Sequence, residues 1–141
     1  MQKRKVVVFG SRGQLGVELV REFSERGYSV FGFDRSGVDI GDASSVERTL
    51  AEADPALVLN AAAYNQVDVA ESEPLPALVA NGVAVRNLAM ACRQLDAQFV
   101  HFSTDYIFDG SKNAPYIETD SPNPLNAYGR TKLAGEQAVR D

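Results

Sequence analysis

The chain has 141 residues, 45% of them hydrophobic and 23% charged, which is typical of one ordinary soluble domain with room for a core. Its single cysteine, Cys92, excludes an internal disulfide, and the lack of a signal-like stretch at the basic start, residues 1–5, favours a cytoplasmic location. The net charge of -5 without a basic stripe argues against nucleic acid as a partner, and no run approaches the roughly 18 apolar residues that would indicate a membrane partner.

The first part of the chain predicts a strand, a helix and a second strand. Residues 6–9 and 28–34 are β-branched and aromatic runs, which favour strands. Gly27 lies where a left-handed helix cap is expected, and the apolar residues before it recur at helical spacing, namely Leu15, Leu19, Val20 and Phe23. This is the β-α-β arrangement of a parallel sheet.

The alternation then continues. A capping-box pattern at 44–47 starts a helix with Val46 and Leu50 on its apolar face, and a continuous apolar strand follows at 56–59. A long amphipathic helix is predicted over 75–95, followed by a strand at 99–102; its apolar face comprises Leu78, Val85, Leu88, Cys92 and Leu95.

The last part of the chain predicts a long loop and a final helix. Segment 109–126 carries three of the six prolines and is expected to be a functional loop, and a helix is expected over 127–140. Because the alternation ends on a helix, residues 1–141 are expected to form the nucleotide-binding domain of a longer protein. The predicted fold is α/β, a Rossmann-type doubly wound and mostly parallel sheet, truncated before a substrate-binding portion.

A glycine-rich loop lies between the first strand and the first helix. Gly10 permits a tight turn, Gly13 removes a side chain where a pyrophosphate approaches the backbone, and Gly16 lets the helix pack close to the sheet. The helix N-terminus offers free N–H groups to the phosphates. The loop thus predicts a dinucleotide site that also includes Arg12, Gln14 and Leu15.

Asp34 ends the second strand, where a Rossmann domain places the carboxylate that accepts hydrogen bonds from the adenosine ribose. Arg12 and Arg35 flank the same region and could pair with a 2′-phosphate, although solvated surface arginines are an equal alternative. The sequence therefore leaves NAD(H) and NADP(H) open as cofactors.

Tyr128 and Lys132 are four residues apart at the start of the last helix and so lie on one face. An ammonium near a phenol favours the phenolate, which makes the tyrosine a usable proton donor. Alone this spacing is a common coincidence, but here Ser103 and Thr104 follow the last strand at the carboxyl edge of the sheet, where such sheets bind ligands.

At this point the chain resembles the extended short-chain dehydrogenases/reductases, and within them the family of dTDP-4-dehydrorhamnose reductases. The matching stretches are GSRGQLG at 10–16, LNAAAYNQVDVAESEP at 59–74, HFSTDYIFDG at 101–110 and PYIETDSPNPLNAYGRTKLAGE at 115–136. Asn65, Gln66 and Val69 depart from the family's pattern, which bears on substrate preference and leaves the chemistry unaffected.

The resemblance implies roles for individual residues. Tyr128 would protonate the C4 oxygen of a keto sugar, Lys132 would hold the nicotinamide ribose, and Thr104 would donate a hydrogen bond to the same carbonyl. Asp39 and Ile40 would border the adenine, while the dinucleotide cleft would be lined by Ala61, Ala62, Ala63 and Tyr64.

Other conspicuous residues have plainer interpretations. His101 is interpreted as a packed or edge histidine and Cys92 as a core residue. The acidic group at 68–73 has no His or Cys companion, so no protein-built catalytic metal site is expected. Asn81 is either a solvated polar residue or, as the resemblance implies, an internal hydrogen-bond tether near the active site.

The combined expectation is an oxidoreductase that uses NAD(P)H to reduce a dTDP-linked 4-keto-6-deoxy sugar in rhamnose supply for surface polysaccharide. The isolated chain is expected to have little turnover, and the full-length protein could form a homodimer. The alternatives are a same-fold sugar-nucleotide epimerase or dehydratase and a non-enzymatic dinucleotide-binding regulatory subunit. The presence of Thr104, Tyr128 and Lys132 counts against the regulatory subunit.

Overall fold

The computed structural model describes residues 4–141, so the first three residues of the basic start lie outside it. Four parallel strands form one sheet in the order β2-β1-β3-β4: β1 Lys5–Phe9, β2 Ser29–Phe33, β3 Leu57–Asn60 and β4 Gln98–His101. The chain leaves β1 toward one side for β2 and returns to the other side for β3. The crevice outside the carboxyl ends of β1 and β3 is therefore the switch point where doubly wound sheets bind ligands.

Helices cover both faces of the sheet. They are α1 Gln14–Glu25, α2 Ala43–Ala53, α3 Val67–Ser72, α4 Pro74–Leu78, a π-helical turn Val79–Val83, α5 Ala84–Gln94, a 3-10 turn Asp105–Ile107 and α6 Ala127–Arg140. Alternate residues of β1 serve the two faces: Val7 packs with α2 and α5, whereas Val8 packs with α1. This two-sided burial explains the continuous apolar strands and confirms the predicted fold class.

One helix boundary and one short helix differ from the prediction. The capping box expected at Ser44 was wrong, because Asp42 is the N-cap of α2 and its side chain accepts a hydrogen bond from the Ser44 N–H at 3.0 Å. The helix therefore begins two residues earlier than the pattern implied. Helix α3 was not predicted, since it has only six residues and no side-chain cap at its N-terminus.

The long helix predicted over 75–95 is α4, the π-helical turn and α5 in continuous succession. Val85, Leu88 and Cys92 are buried as expected, but Leu78 is 41% exposed and Leu95 is 37% exposed. Ala77 faces the core in place of Leu78, because the wide turn shifts the helical phase at this point. Leu95 is exposed because it lies just beyond the last helical residue.

The same stretch corrects the expectation that no segment has the length and apolar composition of a membrane span. Pro74–Gln94 is long and apolar enough to cross a membrane by length and composition alone, and 44% of its most apolar window is buried inside the protein. A helix that lies against a sheet in the core of a domain has the same composition, and Leu88 and Cys92 of this segment pack against β1 and β3.

Candidate active site

The glycine loop joins β1 to α1 through close backbone contacts. Gly10 has a φ of +74°, and a Cβ added to it would lie 2.6 Å from the Ala62 nitrogen. A Cβ on Gly16 would lie 2.0 Å from the Gly10 carbonyl oxygen. Gly13 is the N-cap of α1 and supplies no side-chain cap, so first-turn N–H groups are left to other acceptors. The loop is thus shaped as an anion cradle.

A cleft of about 450 Å³ opens at the switch point beside this loop. It brings together eleven of the predicted site residues: Gly10, Arg12, Gly13, Asp34, Arg35, Asp39, Ile40, Ala61, Ala62, Ala63 and Tyr64. The cleft lining does not include the other predicted residues: Gln14, Leu15, Gly16, Ser103, Thr104, Tyr128 and Lys132. Gln14, Leu15 and Gly16 belong to the first turn of α1, and the last four lie at the end of β4 and on α6.

Sequence reasoning missed several residues of the cleft. One wall is formed by α4, the π-helical turn and the start of α5, through Pro76, Val79, Ala80 and Ala84. These side chains are small or apolar, and their position depends on a wide turn that the sequence pattern does not reveal. Phe9 and Phe33 also line the cleft. They could have been predicted, because they are the last residues of β1 and β2 and ligands bind at the carboxyl ends of such strands.

Asp34 is already held by its own loop. Its Oδ1 accepts hydrogen bonds from the Ser36 N–H and hydroxyl and from the Gly37 N–H, and its Oδ2 lies 2.9 Å from Arg12 Nε. The hydrogen bond from the Ser36 hydroxyl, followed by those from Gly37 and by the Arg12 charge, lowers the pKa of Asp34. The Arg12 side chain is 83% exposed, so its guanidinium remains accessible from the cleft. The ion pair therefore presents a carboxylate acceptor and a cationic donor at one edge of the cleft.

Helix α6 is anchored at its N-terminus by two side chains. Asn126 Oδ1 accepts from the Gly129 N–H at 2.7 Å, and the Glu71 carboxylate on α3 accepts from the Ala127 N–H. Tyr128 is buried against Ala70, and its ring meets that of Tyr106 edge-on with centroids 5.6 Å apart. The predicted proton donor therefore has a fixed ring position.

Lys132 lies one turn further along α6 and is only 2% exposed. Its Nζ donates to the Phe102 carbonyl oxygen at 2.6 Å, at the carboxyl end of β4. Burial lowers the pKa of Lys132, and the Glu136 carboxylate opposes this shift. Next to Phe102, Ser103 is exposed and Thr104 caps the 3-10 turn, with Oγ1 accepting from the Tyr106 N–H at 3.2 Å. The end of β4 and the start of α6 thus meet at one edge of the sheet.

Asn81 ties this region to the cleft. It is buried in the π-helical turn, and its Oδ1 accepts from the Tyr64 N–H at 2.8 Å. Its Nδ2 donates to the Tyr64 carbonyl oxygen and to Thr131 Oγ1, both at 3.1 Å. The internal tether is therefore correct and the solvated alternative is wrong, because the carboxamide satisfies a cleft residue and α6 at once.

His101 is packed, as predicted, at the carboxyl end of β4, with its Nε2 buried. Asn60 Nδ2 donates to His101 Nδ1 at 3.1 Å, while Asn60 Oδ1 accepts from the Ala62 N–H at 3.1 Å. Burial, followed by the Lys132 charge, lowers the pKa of His101 to about 4. The imidazole is therefore neutral at physiological pH and supports the backbone at the cleft.

The neutral histidine gives a pH-dependent stability. An unfolded His101 binds a proton near pH 6.5, whereas the folded one does so near pH 4, so the free energy of unfolding is expected to fall as pH drops through this interval. The loss is on the order of 2 kcal/mol after allowance for partial solvent exposure. Urea unfolding of the wild type and His101→Gln between pH 7 and pH 4.5 checks this. A variant with the same pH slope as the wild type would contradict the assignment.

Cys92 and Glu71 contribute to the packing and capping of the fold. Cys92 is buried in the core, where burial raises the pKa of its thiol to about 12. Glu71 caps α6 as described. Within residues 4–141, no three His, Cys, Asp or Glu side chains are grouped so that they could hold a metal ion.

Comparison with known proteins identifies the family of this chain. The family model described as the RmlD substrate binding domain matches residues 4–141. The dTDP-4-dehydrorhamnose reductase of Burkholderia thailandensis is 47% identical over 137 residues, covering 97% of this chain and 46% of that protein. The one from Mycolicibacterium smegmatis is 44% identical, covering 96% of this chain and 41% of that protein. The chain therefore spans a little under half the length of these relatives.

Solved structures are similar across the whole described fold. A dTDP-4-dehydrorhamnose reductase from Bacillus anthracis in complex with NADP has a TM-score of 0.95 and 38% identity, with 99% of this chain and 50% of that chain covered. A Thermus thermophilus UDP-glucose 4-epimerase complexed with NAD has a TM-score of 0.87 and 27% identity, with 96% and 50% covered. The fold thus occurs in enzymes whose structures were solved with NADP or with NAD.

Proposed function

The chain belongs to the family described as the RmlD substrate binding domain, and from this membership we propose that it is the dinucleotide-binding part of an oxidoreductase. The proposed reaction is the NAD(P)H-dependent reduction of the C4 keto group of a dTDP-linked 6-deoxy sugar, dTDP-4-dehydro-L-rhamnose to dTDP-L-rhamnose. The observation that carries the proposal is the buried Lys132, fixed to the Phe102 carbonyl one helical turn from Tyr128, at the sheet edge that holds the cleft.

The cleft fits a nicotinamide dinucleotide. A Cβ on Gly13 would meet nothing closer than the Gly10 carbonyl at 3.4 Å, so this glycine leaves space toward the cleft and is not demanded by the loop's own packing. The α1 N-terminus would hold the pyrophosphate, and Asp34 with Arg12 would meet the adenosine ribose or its 2′-phosphate. Both NADP(H) and NAD(H) are compatible with this ion pair.

The chemistry assigns one task to each residue. A reduced nicotinamide, when bound, would supply the hydride for the keto carbon. Tyr128 gives its phenolic proton to the C4 oxygen, and the Thr104 hydroxyl donates a hydrogen bond to the same oxygen. Lys132 binds the nicotinamide ribose and, as a nearby cation, stabilises the phenolate that Tyr128 leaves behind.

A same-fold epimerase is the second candidate, because the Thermus epimerase has a similar structure. The two candidates differ in stoichiometry: a reductase consumes one reduced dinucleotide per sugar, whereas an epimerase regenerates its bound cofactor. A regulatory subunit is disfavoured by the complete set of Thr104, Tyr128 and Lys132. We place the protein in the cytoplasm, where its dTDP-sugar partner would be made, and a homodimer of the whole protein remains a proposal.

The decisive experiment measures absorbance loss of NADPH and NADH on addition of a dTDP-linked 4-keto-6-deoxy sugar. The whole protein that contains this chain is expected to oxidise one equivalent per sugar reduced, while residues 1–141 alone are expected to bind dinucleotide with little turnover. Catalysis needs near-ångström placement of the keto carbon, which the substrate-binding half of the relatives would provide. Sugar conversion without net dinucleotide oxidation would favour the epimerase.

A further inference from the structure

Asn87 is a half-buried polar residue of α5 that lies outside the cleft lining. Its Nδ2 donates to the carbonyl oxygens of both Ile40 and Gly41, each at 3.1 Å. These carbonyls belong to the segment 38–41, which connects β2 to α2 and forms one wall of the cleft. One side chain thus holds two successive peptide groups of that wall.

The other hydrogen bonds of this wall are local. Asp39 Oδ1 accepts from the Gly41 N–H at 2.9 Å, and the Asp39 carbonyl accepts from the Asp42 N–H at 3.1 Å. Across residues 4–141, no hydrogen bond other than those of Asn87 joins 38–41 to a residue outside 34–42. Asn87 therefore fixes the hydrogen-bonded position of this wall relative to α5.

The wall that adjoins 38–41 belongs to the same continuous helical stretch as Asn87. Val79 and Ala84 line the cleft from the π-helical turn and the start of α5, and a Cβ on Gly41 would approach Val79 Cγ1 to 3.4 Å. The junction between these two walls is thus held by the contact of Gly41 with Val79 and by the two Asn87 hydrogen bonds. Asn87 itself does not line the cleft.

We propose that Asn87 is a positioning residue for the adenosine half of the bound dinucleotide, acting through the backbone of Ile40 and Gly41; this role rests on the proposed function. The segment follows directly on Asp34 and Arg35, at the end of the cleft assigned to the adenosine ribose. Tyr128 lies toward the other end, packed with Tyr64. Loss of Asn87 should therefore disturb adenosine binding and spare the residues that would contact the nicotinamide.

The test is equilibrium binding of NADPH and of adenosine 2′,5′-bisphosphate to the 141-residue chain, by calorimetry. Asn87→Ala should weaken both ligands by about tenfold, the effect of about 1.4 kcal/mol expected when hydrogen bonds that order a binding loop are lost. Asn87→Asp keeps the size of the side chain but places a carboxylate, which cannot donate, against the two carbonyl oxygens. It should weaken the binding of both ligands at least as much as Asn87→Ala does. Arg86→Ala, an exposed neighbour on the same helix, is the matched control and should bind as the wild type does.

A double-mutant cycle separates positioning from a general loss of structure. If Asn87 acts through Ile40, then Ile40→Ala should cost less affinity in the Asn87→Ala background than in the wild type. The combination of Asn87→Ala with Gly13→Val, which alters the distant phosphate loop, should instead be additive. In 15N spectra of Asn87→Ala, the amide shifts should change mainly for residues 39–42 and α5. Unchanged shifts elsewhere would show that the variant is folded.

The outcomes are distinct. A wild-type chain that binds NADPH while Asn87→Ala and Asn87→Asp bind it equally well would overturn the role of Asn87 and leave the proposed function standing. Additivity between Asn87→Ala and Ile40→Ala would also overturn it. A wild-type chain that binds neither ligand would overturn the dinucleotide site itself, and this role with it.

Discussion

Replacing Tyr128 by Phe in the whole protein is expected to lower kcat by roughly 10²- to 10⁴-fold, the contribution usually made by a general acid. The ring would remain packed on Ala70 and against Tyr106, so the fold and the affinity for NADPH should be preserved. The measurement is steady-state oxidation of NADPH by the dTDP-linked keto sugar, together with calorimetric binding of NADPH.

Tyr28→Phe is the matched control for this substitution. This variant also loses a tyrosine hydroxyl, but Tyr28 packs with Phe23 on the α1 face of the sheet, away from α6. Its kcat should equal that of the wild type. If Tyr128→Phe retained nearly full kcat under conditions where chemistry is rate-limiting, the proton would have to come from another group, and the role assigned to Tyr128 would be wrong.

Gly135→Ala is expected to destabilise the domain by about 3 kcal/mol or more, the range of severe overpacking in a core. A Cβ at this position would lie 2.3 Å from the backbone oxygen of Asn81 and 3.3 Å from His101 Nε2. Because Asn81 O is backbone of a buried turn, α6 would have to move away from it, and Lys132 would move with the helix. Urea unfolding monitored by circular dichroism measures the free energy of unfolding.

The control for Gly135 is Gly37→Ala. A Cβ on Gly37 would have nothing nearer than the Asp34 carbonyl oxygen at 3.8 Å, so this variant should change the free energy of unfolding by less than about 0.5 kcal/mol. Equal stability of the two variants would mean that α6 does not depend on close approach to the π-helical turn.

Much of the fold follows from local patterns in the sequence. The apolar runs predict all four strands, and the stretch 127–140 predicts α6 with the bounds it has in the structure. The π-helical turn could not be predicted, because Val85, Leu88 and Cys92 keep ordinary helical spacing after it and conceal the change of phase before it. Helix α3 escaped notice because a six-residue helix held by Glu71 and Ala70 contacts to α6 has little local signature.

The candidate site also contains residues that local sequence features predict and residues whose role depends on the tertiary fold. The glycine loop and Asp34 were predicted from position and residue type, whereas Asp39, Ile40 and 61–64 came from the family resemblance. Asn60 and Asn87 were not singled out, because each acts on a backbone group that is distant in sequence. Such partners depend on the tertiary fold, and no periodicity or spacing in the chain records them.

The wide turn at Val79–Val83 also constrains how the length of this segment can vary. Each residue of an α-helix advances the chain by about 100°, so adding or removing one residue between Asn81 and Asn87, without a compensating change of the π-helical turn, would rotate one asparagine against the other by that angle. Asn81 could then keep Tyr64 and Thr131, or Asn87 could keep Ile40 and Gly41, but the two sets could not be kept together. An exposed position such as Val83 is free to change its side chain, whereas a change in the number of residues between the two asparagines requires the π-helical turn to change with it.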